Sequence, residues 1–277
     1  RPASAMHWIF RHEPKAIIVE DDLLPDPSFF FFCEEMLEKY ERSEQVMLVS
    51  GRNNLGEWHG EESYFFSRTI NPWGWATWAR AWKNFDFLYR GWSEKSRGVF
   101  LEIFQDEDHA AFHDYNQKAM QGRFCDTWDI QWMYSILLKK GLSIVPAKNL
   151  VRNAGFHDQA THTRFDFDMR ADLEASSLTF PLDHPKQVEY ASRGRQFDRW
   201  NFLLEQLTTF KNPGILTAIH KMTSANGSVP AALAERYKDV IPYLYPLKNR
   251  AESRQVLLHL QAHLPENGFL KNLLNYF

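Results

Sequence analysis

Three carboxylates in a row, Glu20-Asp21-Asp22, follow directly on the apolar run Ala16-Ile17-Ile18-Val19. Adjacent carboxylates repel one another and lose hydration on burial, so they sit together stably only in water or around a cation. Asp22, the last of the series, is the first candidate metal ligand. Taken alone, the segment reads more simply as an acidic turn ahead of Pro25 and Pro27. A second group of carboxylates lies in Cys125-Asp126-Thr127-Trp128-Asp129-Ile130-Gln131-Trp132-Met133. Asp126 is placed to cap a helix there, and Asp129 falls in its first turn, where the helix dipole favours the ionised form. That suits a general base, and it equally suits an ordinary helix-stabilising aspartate. A third stretch, Asn153 to Thr163, carries His162 between Thr161 and Thr163. An imidazole with two hydroxyls can serve a metal-bound phosphate, although a loop histidine is more often polar surface. Gly74 lies between two indoles in Trp73-Gly74-Trp75. It allows a backbone geometry or a close approach that a side chain would block, and a packed core corner explains the same cluster.

The elements that must position these groups follow from the hydrophobic pattern. Ala16 to Val19, β-branched and preceded by Pro14, reads as a strand buried on both faces, whose carboxyl end carries the acidic series into the crevice where open α/β sheets bind ligands. Ser4 to Phe10 fits a short helix ahead of it. Ser28 is placed to cap a helix through Tyr40 with Phe29, Phe32, Met36 and Leu37 on its buried face. Val46 to Gly51 reads as a second strand, making a strand-helix-strand unit of the parallel kind. Arg52 to Glu62 is a polar loop suited to mobility near a site. Tyr64 to Arg68 is a third strand, Ala79 to Lys83 a helical segment, and Leu101 to Gln121 mostly helix. The Trp-Asp helix runs to a stop at Gly141, followed by a strand at Leu142 to Pro146 and a further one at Leu150-Val151. The expectation is an α/β fold with a mixed, mainly parallel sheet and flanking helices. From Phe180 a proline-bearing linker wraps the domain, and beyond it the chain reads as helices punctuated by prolines.

Taken in order, four motifs resemble the nucleotide-sugar glycosyltransferases of the GT-A type. They are Ile18 to Asp22 with Pro25, Trp73 to Trp78, Asp126 to Trp132, and Asn153 through Ala160-Thr161-His162-Thr163. The nearer resemblance is to a bacterial group of sugar transferases labelled haemolytic-protein-like, active in polysaccharide biosynthesis. The more distant one is to N-acetylglucosaminyltransferase I. The resemblance implies a Rossmann-like domain over residues 1–190 with a helical C-terminal extension over 191–277. It implies a transferase that moves a hexosyl or N-acetylhexosaminyl group from a nucleotide-diphosphate donor to an acceptor hydroxyl, with inversion. Asp22 would hold Mn2+ or Mg2+, with Glu20 and Asp21 facing the donor ribose or sugar. Asp129 would be the base, with Asp126 second because the spacing to Trp132 differs by a residue from the distant relative. His162, with Thr161 and Thr163, would lie by the diphosphate or metal, and Gly74 and Trp75 would shape the wall against donor or acceptor. In such enzymes the strands that cradle the nucleotide base precede the acidic strand, and here 15 residues precede Ala16. The chain from Arg1 is therefore expected to bind nucleotide sugar poorly and to expose a sheet edge. A catalytically inactive carbohydrate-binding or scaffolding module is the competing reading.

Composition narrows the partners. A net charge of -3 gives no basic face for nucleic acid, and no apolar run approaches the length of a membrane span. Two cysteines cannot build a disulfide framework or a four-thiolate zinc site, so a reducing compartment is expected, in the cytoplasm or at the periphery of the inner membrane. Ten tryptophans suit sugar stacking only modestly, since most large aromatics are core.

Overall fold

Strands form where apolar runs are short and β-branched, and how they pair is decided by what connects them. The computed structural model describes residues 2–58, 60–88, 90, 96–120, 128–155 and 173–208. Helix α1 (Pro2–Ile9) leads into strand β1 (Lys15–Ile18), then a short strand β2 (Leu23–Pro25) and helix α2 (Ser28–Lys39). Strands β3 (Val46–Ser50), β4 (Tyr64–Ser67) and β5 (Trp75–Trp78) follow, then helices α3 (Ala79–Trp82), α4 (Ser96–Phe104), α5 (Glu107–Met120) and α6 (Asp129–Leu138). Strands β6 (Leu142–Pro146) and β7 (Val151–Asn153) and helix α7 (Ser192–Thr208) complete the described elements.

The class is α/β, with a five-stranded sheet in the order β1-β5-β3-β6-β4 and a separate β2-β7 ribbon. The sheet is mixed, but it is not mainly parallel. Only β3 and β6 pair in parallel; β1-β5, β3-β5 and β4-β6 are antiparallel. The physical reason lies in the connections. β1 reaches β3 through helix α2, and the two run in the same direction, as a strand-helix-strand unit requires. Among the described residues no helix connects β3 to β4, which runs opposite to β3; β5 keeps the direction of β4 and so lies antiparallel to β1 and β3. Antiparallel β5 inserts between β1 and β3, a strand the tryptophan-rich segment did not announce. Because β3, β4, β5 and β6 are buried along their whole lengths, their apolar runs carry no sign of direction. β1 is only half-buried and lies at the sheet edge, its outer side without a strand partner among the described residues.

Alternation along each strand sends side chains to two separate cores. On one face α2 contributes Phe29, Phe32, Met36 and Leu37 against Ala76, Trp78, Ile144 and Phe66. On the other, Met6 of α1, Trp82 of α3 and Trp132 and Ile136 of α6 pack on Leu48 and Trp75. Each fully buried side chain of this size contributes about 1.5–3 kcal/mol. α2 is not capped by Ser28: its first turn is held by Asp26, whose Oδ1 accepts from the Ser28 amide at 2.9 Å and hydroxyl at 2.6 Å. The Ser28 hydroxyl bond is the main reason the Asp26 carboxyl is held below its usual value. The expected single helix from Leu101 is two, because Gln105 takes a left-handed φ of 54° and Asp106 restarts the chain by accepting from the His109 amide at 2.8 Å.

The polar loop after β3 is buried rather than mobile surface at its start, where Arg52, Asn53 and Leu55 are inaccessible. Asn53 makes this affordable in hydrogen bonds, donating from Nδ2 to the Pro146 and Ala147 carbonyls at 2.9 and 3.1 Å. The chain from 173 wraps the domain, with Ser177 Oγ donating to Asp26 Oδ2 at 2.8 Å and Ser63 and Asp183 bonded through their backbones at 2.8 Å. α7 closes on β4 around buried Asp198, which accepts from the hydroxyls of Ser67, Thr69 and Tyr190 and from the Arg68 amide. No helix among the described residues is long and apolar enough to cross a membrane.

Candidate active site

The acidic series emerges where β1 ends. Ile18, its last residue, pairs with Trp75, the first of β5. Both side chains lie on the face shared with α6. Trp75 is fully buried and stacks on Trp128, with ring centroids 5.5 Å apart and planes at 27°. Trp128 directly precedes Asp129 in the first turn of α6, as the sequence pattern anticipated. The indole pair thus fixes the start of α6 against the end of β1. Asp129 Oδ1 accepts from the Ile130 amide at 2.9 Å, which holds its carboxylate at the helix start.

Asp129 stands near enough to Glu20 for its charge to act there. The Glu20 side chain reaches solvent, yet its pKa is raised. Loss of hydration is the largest cause, followed by the charges of Asp22, Asp129 and Asp21. Three carboxylates that are sequence neighbours would crowd in any fold. The field of Asp129 at Glu20 is a consequence of this one, because it requires α6 to deliver its first turn to the tip of β1.

Asp22 is held from the other side by the β2-β7 ribbon, in which Leu23 is registered against Asn153. The Ala154 amide donates to the Asp22 backbone carbonyl at 2.8 Å. Asn153 is buried and its Oδ1 accepts from the Gly155 amide at 2.6 Å. The Asp22 carboxylate lies so close to Gly155 that a Cβ there would come within 2.3 Å of Oδ2. Asp22 Oδ1 is buried and has no hydrogen-bond partner among the described residues. A buried carboxylate oxygen without a donor is costly unless something positive completes it.

Gly74 has a left-handed φ of 67°, and a Cβ at that position would meet Val151 Cγ2 at 2.7 Å. Its requirement for glycine therefore comes from the packing of the β5 entry onto β7, the strand that also carries Asn153. Trp75, being fully buried, backs the site through Trp128 and does not line it. Arg52 covers the ring of neighbouring Trp73 at 5.0 Å and donates to the Val151 carbonyl at 3.2 Å, tying the same corner together. Of the remaining candidates, Asp126, Thr161, His162 and Thr163 lie outside the described residues. The structure sets Asp129 within electrostatic reach of Glu20, next to Asp21 and Asp22 in the chain, and adds Gly155 and Asn153 beside Asp22, which residue type alone did not single out. The signal was present in the close spacing Asn153-Ala154-Gly155, an amide that bonds its own backbone two residues on.

Among the described residues no three His, Cys, Asp or Glu side chains converge so as to hold a metal ion by themselves. Mg2+ and Mn2+ in phosphate-transferring sites commonly take only one or two protein carboxylates, with substrate phosphates and water completing the shell. The unpartnered oxygen of Asp22 fits a single-carboxylate contribution of this kind. No protein-family model matches the chain, and no curated protein is similar enough to it to count as a relative.

Proposed function

We propose that the chain carries the catalytic face of a GT-A type glycosyltransferase, which moves a sugar from a nucleotide-diphosphate donor to an acceptor hydroxyl with inversion. The observation that carries this reading is the meeting of Asp129 with the Glu20-Asp21-Asp22 series at one end of the sheet. A metal-binding carboxylate and a candidate base, from motifs far apart in sequence, are what such a transfer needs in one place.

Asp22 would hold Mn2+ or Mg2+, and the cation, when bound, neutralises the diphosphate as negative charge builds on the leaving group. Glu20 and Asp21 accept hydrogen bonds from donor hydroxyls. Asp129 accepts the proton of the acceptor hydroxyl as its oxygen forms a bond to the anomeric carbon. The bond from that carbon to the diphosphate oxygen breaks, and its electron pair leaves with the nucleoside diphosphate. Attack from the face opposite the leaving group inverts the anomeric centre. Trp128 and Trp75 fix where Asp129 stands, so that the proton acceptor need not be ordered at the moment of reaction.

The test is a panel of nucleotide-diphosphate sugars incubated with Mn2+ and simple glycosides, with released nucleoside diphosphate and transferred sugar both measured. Asp129→Asn is expected to lose transfer and to keep donor binding, because an amide preserves shape but takes no proton. Transfer undiminished in Asp129→Asn and lost in Asp126→Asn would assign the base to the other aspartate. Sugar binding without metal-dependent turnover of any donor would favour the carbohydrate-binding module.

A further inference from the structure

The carboxylate of Asp22 is confined by the backbone at Gly155. On one side, Oδ2 lies where a Cβ at position 155 would stand, 2.3 Å away. The same Cβ would come within 3.2 Å of Asp22 Cγ and 2.9 Å of Asn153 Oδ1. The collisions are therefore with the carboxylate and the amide that shape this corner, and not with a hydrophobic core. Gly155 has no left-handed φ, so its backbone conformation is open to any residue. What demands glycine here is the space taken by Asp22. The segment is tethered where it enters that point, by the Ala154 amide on the Asp22 carbonyl at 2.8 Å and by the Gly155 amide on Asn153 Oδ1 at 2.6 Å. With its main-chain carbonyl bonded and one carboxylate oxygen seated against Gly155, Asp22 has its other oxygen, Oδ1, buried and without a partner among the described residues.

We infer that Gly155, gripped by Asn153, is a positioning residue that sets the rotamer of Asp22 so that Oδ1 is directed at an incoming divalent cation. The inference rests on the reading of Asp22 as a metal ligand and extends it to the residue that aims the ligand. A methyl group at 155 displaces the carboxylate, because the Ala154 and Gly155 amides are tied and the atom it meets first is the end of the Asp22 side chain. Positioning groups around metal ligands typically change affinity by about 10–100-fold when they are removed, and a loss in that range is expected for Gly155→Ala.

The experiment uses the full chain with Mn2+ alone as probe, and Mn2+ with methylenediphosphonate as a non-hydrolysable diphosphate. Bound Mn2+ is counted by electron paramagnetic resonance, and unfolding is followed by calorimetry with metal and with EDTA. Four proteins are compared: wild type, Gly155→Ala, Asp22→Asn and the double variant. The expected result is a Gly155→Ala protein whose Mn2+ affinity falls by about 10–100-fold. Its melting temperature in EDTA should stay close to wild type, and its effect on Mn2+ should vanish once Asp22 is already Asn. A glycine needed only for folding would lower the EDTA melting temperature equally in both backgrounds and would overturn the inference. If Gly155→Ala fails to fold, Asn153→Ala, which removes the grip without adding a methyl group, must show the loss of affinity; unchanged binding there overturns it as well. Wild-type binding with Gly155→Ala binding equally well refutes the positioning role and leaves Asp22 as ligand. Absence of Mn2+ binding by the wild type under both conditions refutes both.

Discussion

Replacing Asp22 by asparagine should make the metal-free protein more stable. Asp22 Oδ1 is buried without a donor among the described residues, and the carboxylate adds its charge to those of Asp21 and Asp129 around Glu20. Asparagine keeps the size and leaves the backbone bond from Ala154 intact, since that bond reaches the main-chain carbonyl. An unpaired buried polar group costs about 1–3 kcal/mol, and an amide recovers only the part due to charge, so a gain of about 1 kcal/mol is expected. For a domain of roughly this size that amounts to a rise of about 2–4 °C in melting temperature, measured by calorimetry in EDTA. With Mn2+ the order should reverse. At one hundred times its dissociation constant, a ligand specific for the folded state adds about 2.7 kcal/mol to the wild type, and the asparagine variant should gain none of it. A variant less stable than wild type in EDTA would show that the Asp22 carboxylate is a structural acceptor, and the reasoning from its orphaned oxygen would fail.

Other consequences follow from the packing. Asp198→Ala should cost at least about 3 kcal/mol, because it strands the hydroxyls of Ser67, Thr69 and Tyr190 and the Arg68 amide in a buried pocket; urea titration showing less than about 1 kcal/mol would contradict this. His109 and His113 are buried between α5 and its neighbours, and burial is the first cause pushing both below the ordinary histidine value, His113 down to about 3. Their unfolded forms bind protons first, so stability is complete above about pH 6.5 and falls with acidification at about 1.4 kcal/mol per pH unit for each. His113→Leu should remove one such increment from the slope of unfolding free energy against pH between about 6 and 4; an unchanged slope would refute the assignment. Gly74→Ala should destabilise by about 2 kcal/mol or more, combining a left-handed φ with a Cβ pressed on Val151, and wild-type melting would show that this corner yields.

Most element positions were legible from pattern. The buried face of α2 and the strands β3, β4 and β6 follow from apolar spacing, and Asp129 stands in the first turn of α6 as read. Strand direction was not legible, because β3 to β6 are apolar on both faces and an apolar run looks the same either way. β5 was hidden for a related reason: Trp75-Ala76-Thr77-Trp78 resembles an aromatic corner until Ile18 and Val49 are found pairing with it. Asp26 took the cap from Ser28 because a carboxylate two residues earlier reaches both the amide and the hydroxyl of Ser28. At the site, the acidic series and Asp129 could be picked out singly as residue types. Their convergence depends on the Trp75-Trp128 stack, and the confinement of Asp22 depends on the β2-β7 ribbon. Both are long-range pairings that no local pattern encodes.

The most direct measurement is the rate of nucleoside diphosphate release and sugar transfer from nucleotide-diphosphate sugars, with Mn2+ and with EDTA, in wild type, Asp22→Asn and Asp129→Asn. In a form that carries the base-binding strands such enzymes place ahead of the acidic strand, metal-dependent transfer in the wild type is expected, lost in both variants, with donor binding kept in Asp129→Asn and weakened in Asp22→Asn. Transfer that is indifferent to EDTA, or that survives in Asp22→Asn at the wild-type rate, would contradict a metal-assisted glycosyl transfer at this cluster of carboxylates.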